Sequence, residues 1–367
     1  MKKKIVFITG VLSQPRIIKR INSFIDNGYE VEVYGFDRGK YSINKETYKC
    51  DINIVGEQKD GQNYFLKLIQ IYNLHKSLNN KSKSDNSTFY LFGFIEAFFS
   101  LFFHYKYIYE ISDILYGYNK FKPIEWLIKL VDKIIIKKSI LTVMTSEGFE
   151  EYFYPNKKYN NIVIQPNKLN SFFNSIDRNN LDYSVKKESI IFSFVGAFRY
   201  PNTVFRFAHI IGKNFPQHKF YFYGDSILTN EVKDIASLYE NVKYLGPFKN
   251  PNDLMSIYKT IDIVVACYDT KDLNERIAEP NKLYEAMFFK KPIIVSLNTF
   301  LEKQVNKYGI GYSIDASIDN KIINFINSLS DESINGIMNN LELIGRDELI
   351  DDNSKNIISK LENSLNI

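Results

Sequence analysis

Glu279-Pro280-Asn281-Lys282-Leu283-Tyr284-Glu285-Ala286-Met287, followed by Lys291-Pro292-Ile293-Ile294-Val295, reads as a short helix running into a buried strand. Pro280 suits the first helical position, because its fixed φ matches a helix start and its missing N–H would be an orphan there anyway. The N–H groups of Asn281, Lys282 and Leu283 then point out of a positive helix end, which binds phosphate. Lys282 adds a mobile charge. Glu285, three residues on, shares its face, where a carboxylate can take two hydroxyls of a ribose. The same residues also suit an ordinary, well-capped surface helix. The context favours the ligand reading. Ile293 to Val295 and, upstream, Ile261 to Cys267 are short apolar, β-branched runs, as in a parallel sheet covered on both faces. Ligands of such sheets sit at the carboxyl ends of strands, where helices begin.

Outward from that stretch, the pattern repeats. Residues 5–11 read as a strand, Arg16 to Asn27 as an amphipathic helix closed by Gly28, and Val31 to Tyr34 as the next strand. Ile52 to Val55, Thr88 to Phe92, Tyr107 to Ile111 and Leu141 to Met144 continue the strands. Tyr64 to Leu78, Ile95 to Phe103 and Ile124 to Lys138 supply helices, and Asn79 to Ser87 reads as a polar loop. This βαβα alternation predicts a parallel sheet with right-handed crossovers. Residues 167–188 lose periodicity and read as an interdomain connection. A second alternation runs through Ile190 to Gly196, Lys219 to Gly224, Val242 to Gly246, Ile261 to Cys267 and Ile293 to Val295. The expected architecture is α/β: two Rossmann-like, doubly wound domains facing a cleft. Residues 1–170 form the first, 171–350 the second, and 351–367 a C-terminal helix packing back toward the first.

At 367 residues the chain is too long for one ordinary core, and 45% apolar residues argue against disorder. Two cysteines and four histidines show no ligand spacing, so neither a disulfide framework nor a metal site is expected, and the compartment reads as reducing and cytoplasmic. Met1-Lys2-Lys3-Lys4 precedes an apolar run too short for a signal peptide, and no stretch reaches the length of a membrane span. Charge is uneven. Residues 1–180 hold 26 Lys and Arg against 18 Asp and Glu, about +8, and the remainder about −3. The basic half suits an anionic partner.

Several short blocks now fall in an order that resembles the GT-B glycosyltransferases of the family 4 type, the group 1 glycosyl transferases. They are Pro15 to Arg20 with Asn27 to Val31, Thr142 to Ser146, Ile164 to Asn167, Val195-Gly196-Ala197-Phe198-Arg199, Gly246-Pro247-Phe248, and Pro280 to Met287 with Lys291 to Ile294. The resemblance implies a nucleotide-diphosphate sugar, UDP- or GDP-linked, held mainly by the C-terminal domain. It implies an acceptor held mainly by the N-terminal domain, retention of configuration, and no cofactor or metal. On that likeness Gly196, Arg199, Asn281, Lys282, Leu283 and Glu285 hold the donor. Arg199 and Lys282 stabilise the leaving diphosphate, as metal-free chemistry needs fixed donors and cations. Gly10, after the first strand, either lets backbone approach the donor sugar or phosphate or is a plain turn. The sequence also departs from the family. Ile277 stands where the first of its paired carboxylates is expected. Glu279 either contacts the donor sugar from the loop or complements the helix start. Ser112 replaces the acceptor-domain His, leaving Asp113 or Glu110 as the polar group near the reacting centre, or as a turn cap.

Ile124 to Lys138 carries Trp126 and a row of aliphatic residues with Lys129, Lys133, Lys137 and Lys138. Such a helix either lies on an anionic membrane or packs on the sheet with its lysines in solvent. The function expected is sugar transfer to a glycan acceptor, lipid-linked, in surface polysaccharide synthesis such as capsule, by an enzyme peripheral to the inner face of the plasma membrane. The alternatives are a nucleotide-sugar 2-epimerase on the same fold and a non-catalytic sugar-binding protein. No nucleic-acid motif accompanies the basic charge.

Overall fold

A computed structural model describes residues 3–39, 43–59, 61–118, 121–178, 181, 187–351 and 354–365. The chain divides into two compact units. Unit 1 comprises Met1–Asn167 with Asp352–Ile367, and unit 2 comprises Lys168–Asp351.

Unit 1 is built on seven strands: β1 (Lys4–Thr9), β2 (Glu30–Asp37), β3 (Ile52–Glu57), β4 (Thr88–Phe92), β5 (Tyr107–Ile111), β6 (Leu141–Met144) and β7 (Ile162–Ile164). Every pairing is parallel, in the order β3-β2-β1-β4-β5-β6-β7. The central strands β4, β5 and β6 are buried at every position, because crossover helices cover both faces. Helix α1 (Pro15–Asp26) shows how the sequence sets this up. Ile17, Ile21 and Phe24 fall on one face and are buried, and Gly28 at φ +84° closes the helix in the left-handed region. Phe24 meets Phe7 and Tyr90 edge-on in the core. The helix Lys355–Ser364 adds Ile357, Ile358 and Leu361 to that same core.

Two buried carboxylates of unit 1 each have hydrogen-bond partners, as low dielectric demands. Glu110, on β5, accepts from Arg20 Nε at 3.0 Å and from the Tyr90 hydroxyl, and Arg16 stands 3.5 Å away. Asp132 accepts from Tyr109 and Tyr116 at 2.9 and 2.8 Å, and burial raises its carboxyl to about 7.

Unit 2 has six strands: β8 (Ile191–Val195), β9 (Lys219–Tyr223), β10 (Val242–Tyr244), β11 (Ile263–Ala266), β12 (Ile293–Ser296) and β13 (Gly311–Ile314). They are parallel in the order β10-β9-β8-β11-β12-β13.

Four sequence expectations need correction. Helix α2 (Tyr64–Asp85) runs through most of the expected loop 79–87. No Gly or Pro interrupts that stretch, and the helix stops only where Asn86 turns left-handed at φ +51°. Helix α3 is only Phe94–Phe99 and gives way to a 3₁₀ turn, so Phe102 is exposed rather than buried. β7 and β13, of three and four residues, have no counterpart in the pattern reading. The described part of residues 167–188 is not a loose connection. Arg178 is buried and donates to the carbonyls of Met287, Phe288, Leu341 and Ile344. Its guanidinium thereby satisfies carbonyls that two helix ends leave open.

Candidate active site

The opening stretch folds as helix α5 (Asn281–Phe288) leading to β12. Pro280 is the N-cap, with extended φ −81° and ψ 153°, one position before the one expected. The difference matters for the phosphate end. Leu283 N–H donates to the Pro280 carbonyl at 3.1 Å and its side chain is buried, so Leu283 offers nothing to a ligand. Asn281 is exposed and Lys282 half-buried at that end.

The Lys282 ammonium sits 4.3 Å from the Phe194 ring centroid and 5.7 Å from that of Tyr268. These rings close the ends of β8 and β11, and Tyr268 is itself stacked on Tyr200 at 4.4 Å. Two aromatic faces therefore hold a cation at the strand ends. Gly196, immediately after β8, has φ +130°, and a Cβ there would lie 2.8 Å from Lys282 Nζ. A Cβ on Gly224, after β9, would lie 2.1 Å from the Gly196 carbonyl oxygen. Both glycines are thus dictated by close approach and positive φ. Burial draws Lys282 down to about 8, with Glu285 opposing and Arg199 assisting. That effect places the exposed Arg199 within electrostatic reach of Lys282.

Glu285 is buried, and its Oε2 accepts from the Tyr258 hydroxyl at 2.8 Å. Burial raises its carboxyl, while Lys282, Tyr258 and the Asn250 side chain hold it down. The Glu279 carboxylate accepts from the Tyr284 hydroxyl, a contact within the loop and first turn. Gly196, Arg199, Lys282 and Glu285 therefore converge where β8 and β11 end. That is the point at which the strand order of unit 2 reverses direction. Tyr258 and Tyr268 belong to this constellation and were not singled out by sequence. Nothing in their neighbourhoods distinguishes them from core tyrosines.

The remaining candidates lie in unit 1. Asp113 is exposed after β5, and its charge reaches Arg16. Glu110, its sequence alternative, is spent on Arg20, Arg16 and Tyr90. Gly10 is buried, and the space its missing side chain leaves is filled by a carboxylate: a Cβ there would lie 2.7 Å from Glu96 Oε1. Arg38 Nε donates to the Gly10 carbonyl at 3.0 Å. As placed, Gly10 faces a carboxylate where a phosphate would be repelled. Among the described residues no group of three or more His, Cys, Asp or Glu could hold a metal ion. No helix among them is long and apolar enough to cross a membrane.

Residues 175–340 match the model of the family described as glycosyl transferases group 1. Unit 2 is a glycosyl transferases group 1 domain. A chain built around that domain is a glycosyltransferase, and the two parallel Rossmann-type sheets are those of the GT-B fold. Similar solved structures span both units. The crystal structure of a glycosyltransferase from Rickettsia africae ESF-5 is 15% identical, with a TM-score of 0.72 and 99% of each chain covered. Anabaena Alr3699/HepE in complex with UDP is 14% identical, with a TM-score of 0.70 and 98% and 99% covered. Sucrose-phosphate synthase from Thermosynechococcus elongatus is 13% identical, with a TM-score of 0.68 and 93% and 94% covered. At such identities the likeness speaks to the fold alone. No curated protein matches the chain.

Proposed function

We propose that this glycosyltransferase moves one sugar from a nucleoside-diphosphate sugar to a glycan acceptor, lipid-linked, in the synthesis of a surface polysaccharide such as capsule. Transfer retains configuration and uses no metal. The observation that carries the donor reading is Lys282, held on two aromatic faces against bare Gly196, with the Glu285 carboxylate one turn along α5. A diphosphate matches the ammonium, and ribose hydroxyls match the carboxylate. The UDP bound by the Anabaena structure supports a uridine nucleotide over a guanosine one. In the reaction the bond from the anomeric carbon to the diphosphate oxygen breaks. The departing oxygen keeps the electron pair, and Lys282 and Arg199 meet the growing charge. A screen of UDP- and GDP-sugars for released nucleoside diphosphate, with and without acceptor, tests the reading. A 2-epimerase would alter the donor sugar and release none. A binding protein would leave every donor intact.

The acceptor side of the proposal is the cytoplasmic face of an anionic membrane. Helix α4 (Lys122–Lys138) buries Asp132, Ile135 and Ile136 but leaves Trp126 63% and Leu127 58% exposed, with Ile124, Leu130 and Ile134 also in solvent. At about 100° per residue these five fall in one arc, with Lys122, Lys129 and Lys133 along its edge. That is the profile of a helix lying in a lipid interface. Trp126 is the one tryptophan of the chain, so its emission reports this helix alone. A blue shift with anionic vesicles at low salt, absent with neutral ones, is expected. Unchanged emission with both removes the membrane from the proposal.

A further inference from the structure

Lys282 and Glu285 lie three residues apart on one face of α5, the spacing at which a lysine and a glutamate pair across a helical turn. Burial strengthens the attraction between them. Yet the pair stands open. Lys282 makes no ion pair and no hydrogen bond among the described residues, and its ammonium rests on the rings of Phe194 and Tyr268. Tyr200, stacked on Tyr268, fixes the second ring. The Glu285 carboxylate is turned instead to the Tyr258 hydroxyl, which donates to Oε2 at 2.8 Å. Tyr258, on the helix Leu254–Thr260, is 1% exposed, and its ring stacks at 4.5 Å on Phe289, the residue that closes α5. The side chain of Asn250 bonds the same carboxylate from an exposed loop position, so Tyr258 is the fixed anchor of the two.

We propose that Tyr258 is a positioning residue for the donor: its hydroxyl keeps Glu285 out of an ion pair with Lys282, so that the ammonium stays available to a diphosphate and the carboxylate to ribose hydroxyls. The inference rests on the glycosyl-transfer reading of this site and names what keeps the site ready. Closing the pair would occupy both ligand groups at once. A diphosphate would then have to break an ion pair before it met a cation, and a ribose would meet a carboxylate turned toward lysine. The rings around Lys282 do not prevent this alone, because a cation–π contact is weaker than an ion pair at contact distance out of water. They retain the ammonium only while the carboxylate is held away. A hydroxyl donating to a carboxylate makes a charge-assisted bond, and stacking on Phe289 fixes the ring that carries it.

The test uses Tyr258→Phe in the full chain, which keeps the ring and its stacking on Phe289 and removes only the hydroxyl. In crystal structures without nucleotide, Lys282 Nζ is expected within about 4 Å of the Glu285 carboxylate in the variant and not in the unaltered chain. A pair that stays open in the variant overturns the inference. Calorimetry with UDP supplies the second measurement. Tyr258→Phe should weaken UDP about tenfold or more, since the open pair becomes a minor state. In a Glu285→Gln background no carboxylate remains to capture Lys282, so the same substitution should change UDP affinity by less than about twofold. An equal loss in both backgrounds marks Tyr258 as merely structural and overturns the inference. The two readings fail separately. A pair that closes in a chain binding neither UDP nor GDP breaks the donor assignment and leaves the hydroxyl's hold on the pair standing. UDP binding with a pair that stays open does the reverse.

Discussion

At the switch point of its sheet, unit 1 sets a carboxylate against two glycines, while unit 2, at the corresponding point, sets an ammonium against one. The backbone plan is shared: a parallel sheet, a glycine after the first strand, and a charged side chain from a helix that follows a later strand. The charge is opposite, and it decides what each crevice admits. Lys282 in unit 2 suits a diphosphate, and Glu96 in unit 1 repels one. The fold thus repeats one backbone arrangement at both switch points, and a single side chain gives each its charge.

The largest effect expected of breaking this contrast is on Lys282. Lys282→Ala removes the cation that meets the leaving diphosphate, and turnover with the donor identified by screening should fall by about 10²–10³. Near-normal turnover would remove Lys282 from the chemistry and leave the two crevices alike in having no demonstrated ligand.

Gly196→Ala comes next. The added methyl meets Lys282 Nζ at 2.8 Å, and φ +130° is strained for any L side chain, at about 1–3 kcal/mol. UDP affinity should drop about tenfold or more, and the urea midpoint should fall with it. In unit 1, Gly10→Ala should leave UDP affinity unchanged, because its methyl meets Glu96 instead.

The pH dependence of the two crevices sharpens the contrast. Lys282 is drawn down to about 8, so its charge, and UDP affinity with it, should decline as pH rises through 8. Lys282→Arg should flatten that decline, since guanidinium stays charged. Glu96 runs the other way. Its folded-state carboxyl, at about 7, stands above its unfolded value, so the native state binds the extra proton between roughly 4.5 and 7. Its stabilising contribution is complete below that window and lost as pH rises through 7. Glu96→Gln should therefore remove part of the fall in urea midpoint between pH 5 and pH 8. An unchanged slope would mean that Glu96 is already ionised at the lower pH.

Much of the fold was legible because parallel strands buried on both faces leave continuous apolar runs, as in Phe89-Tyr90-Leu91-Phe92 and Ile293-Ile294-Val295. β7 and β13 were not read from the pattern, although the equally short β10 was. β13 needs Gly311 for a reason visible only across the sheet, where a Cβ would strike the Ile293 carbonyl oxygen. In the site, Lys282 and Glu285 were readable because i and i+3 share a helix face whatever surrounds it. Leu283 failed as a ligand group because its N–H turned back to Pro280, a choice made by the cap.

By itself the sequence determined the two α/β halves, the cation and carboxylate on α5, and the resemblance to group 1 glycosyl transferases. Periodicity, capping and spacing are local, and so can be read along the chain. Only the tertiary structure decided that Glu110 is spent on arginines while Glu96 lies between Gly10 and Gly93. Both are single carboxylates in apolar surroundings. What separates them is the set of distant residues each one meets after folding, and hydrogen bonds and low-dielectric burial act over distances in space that chain order does not encode.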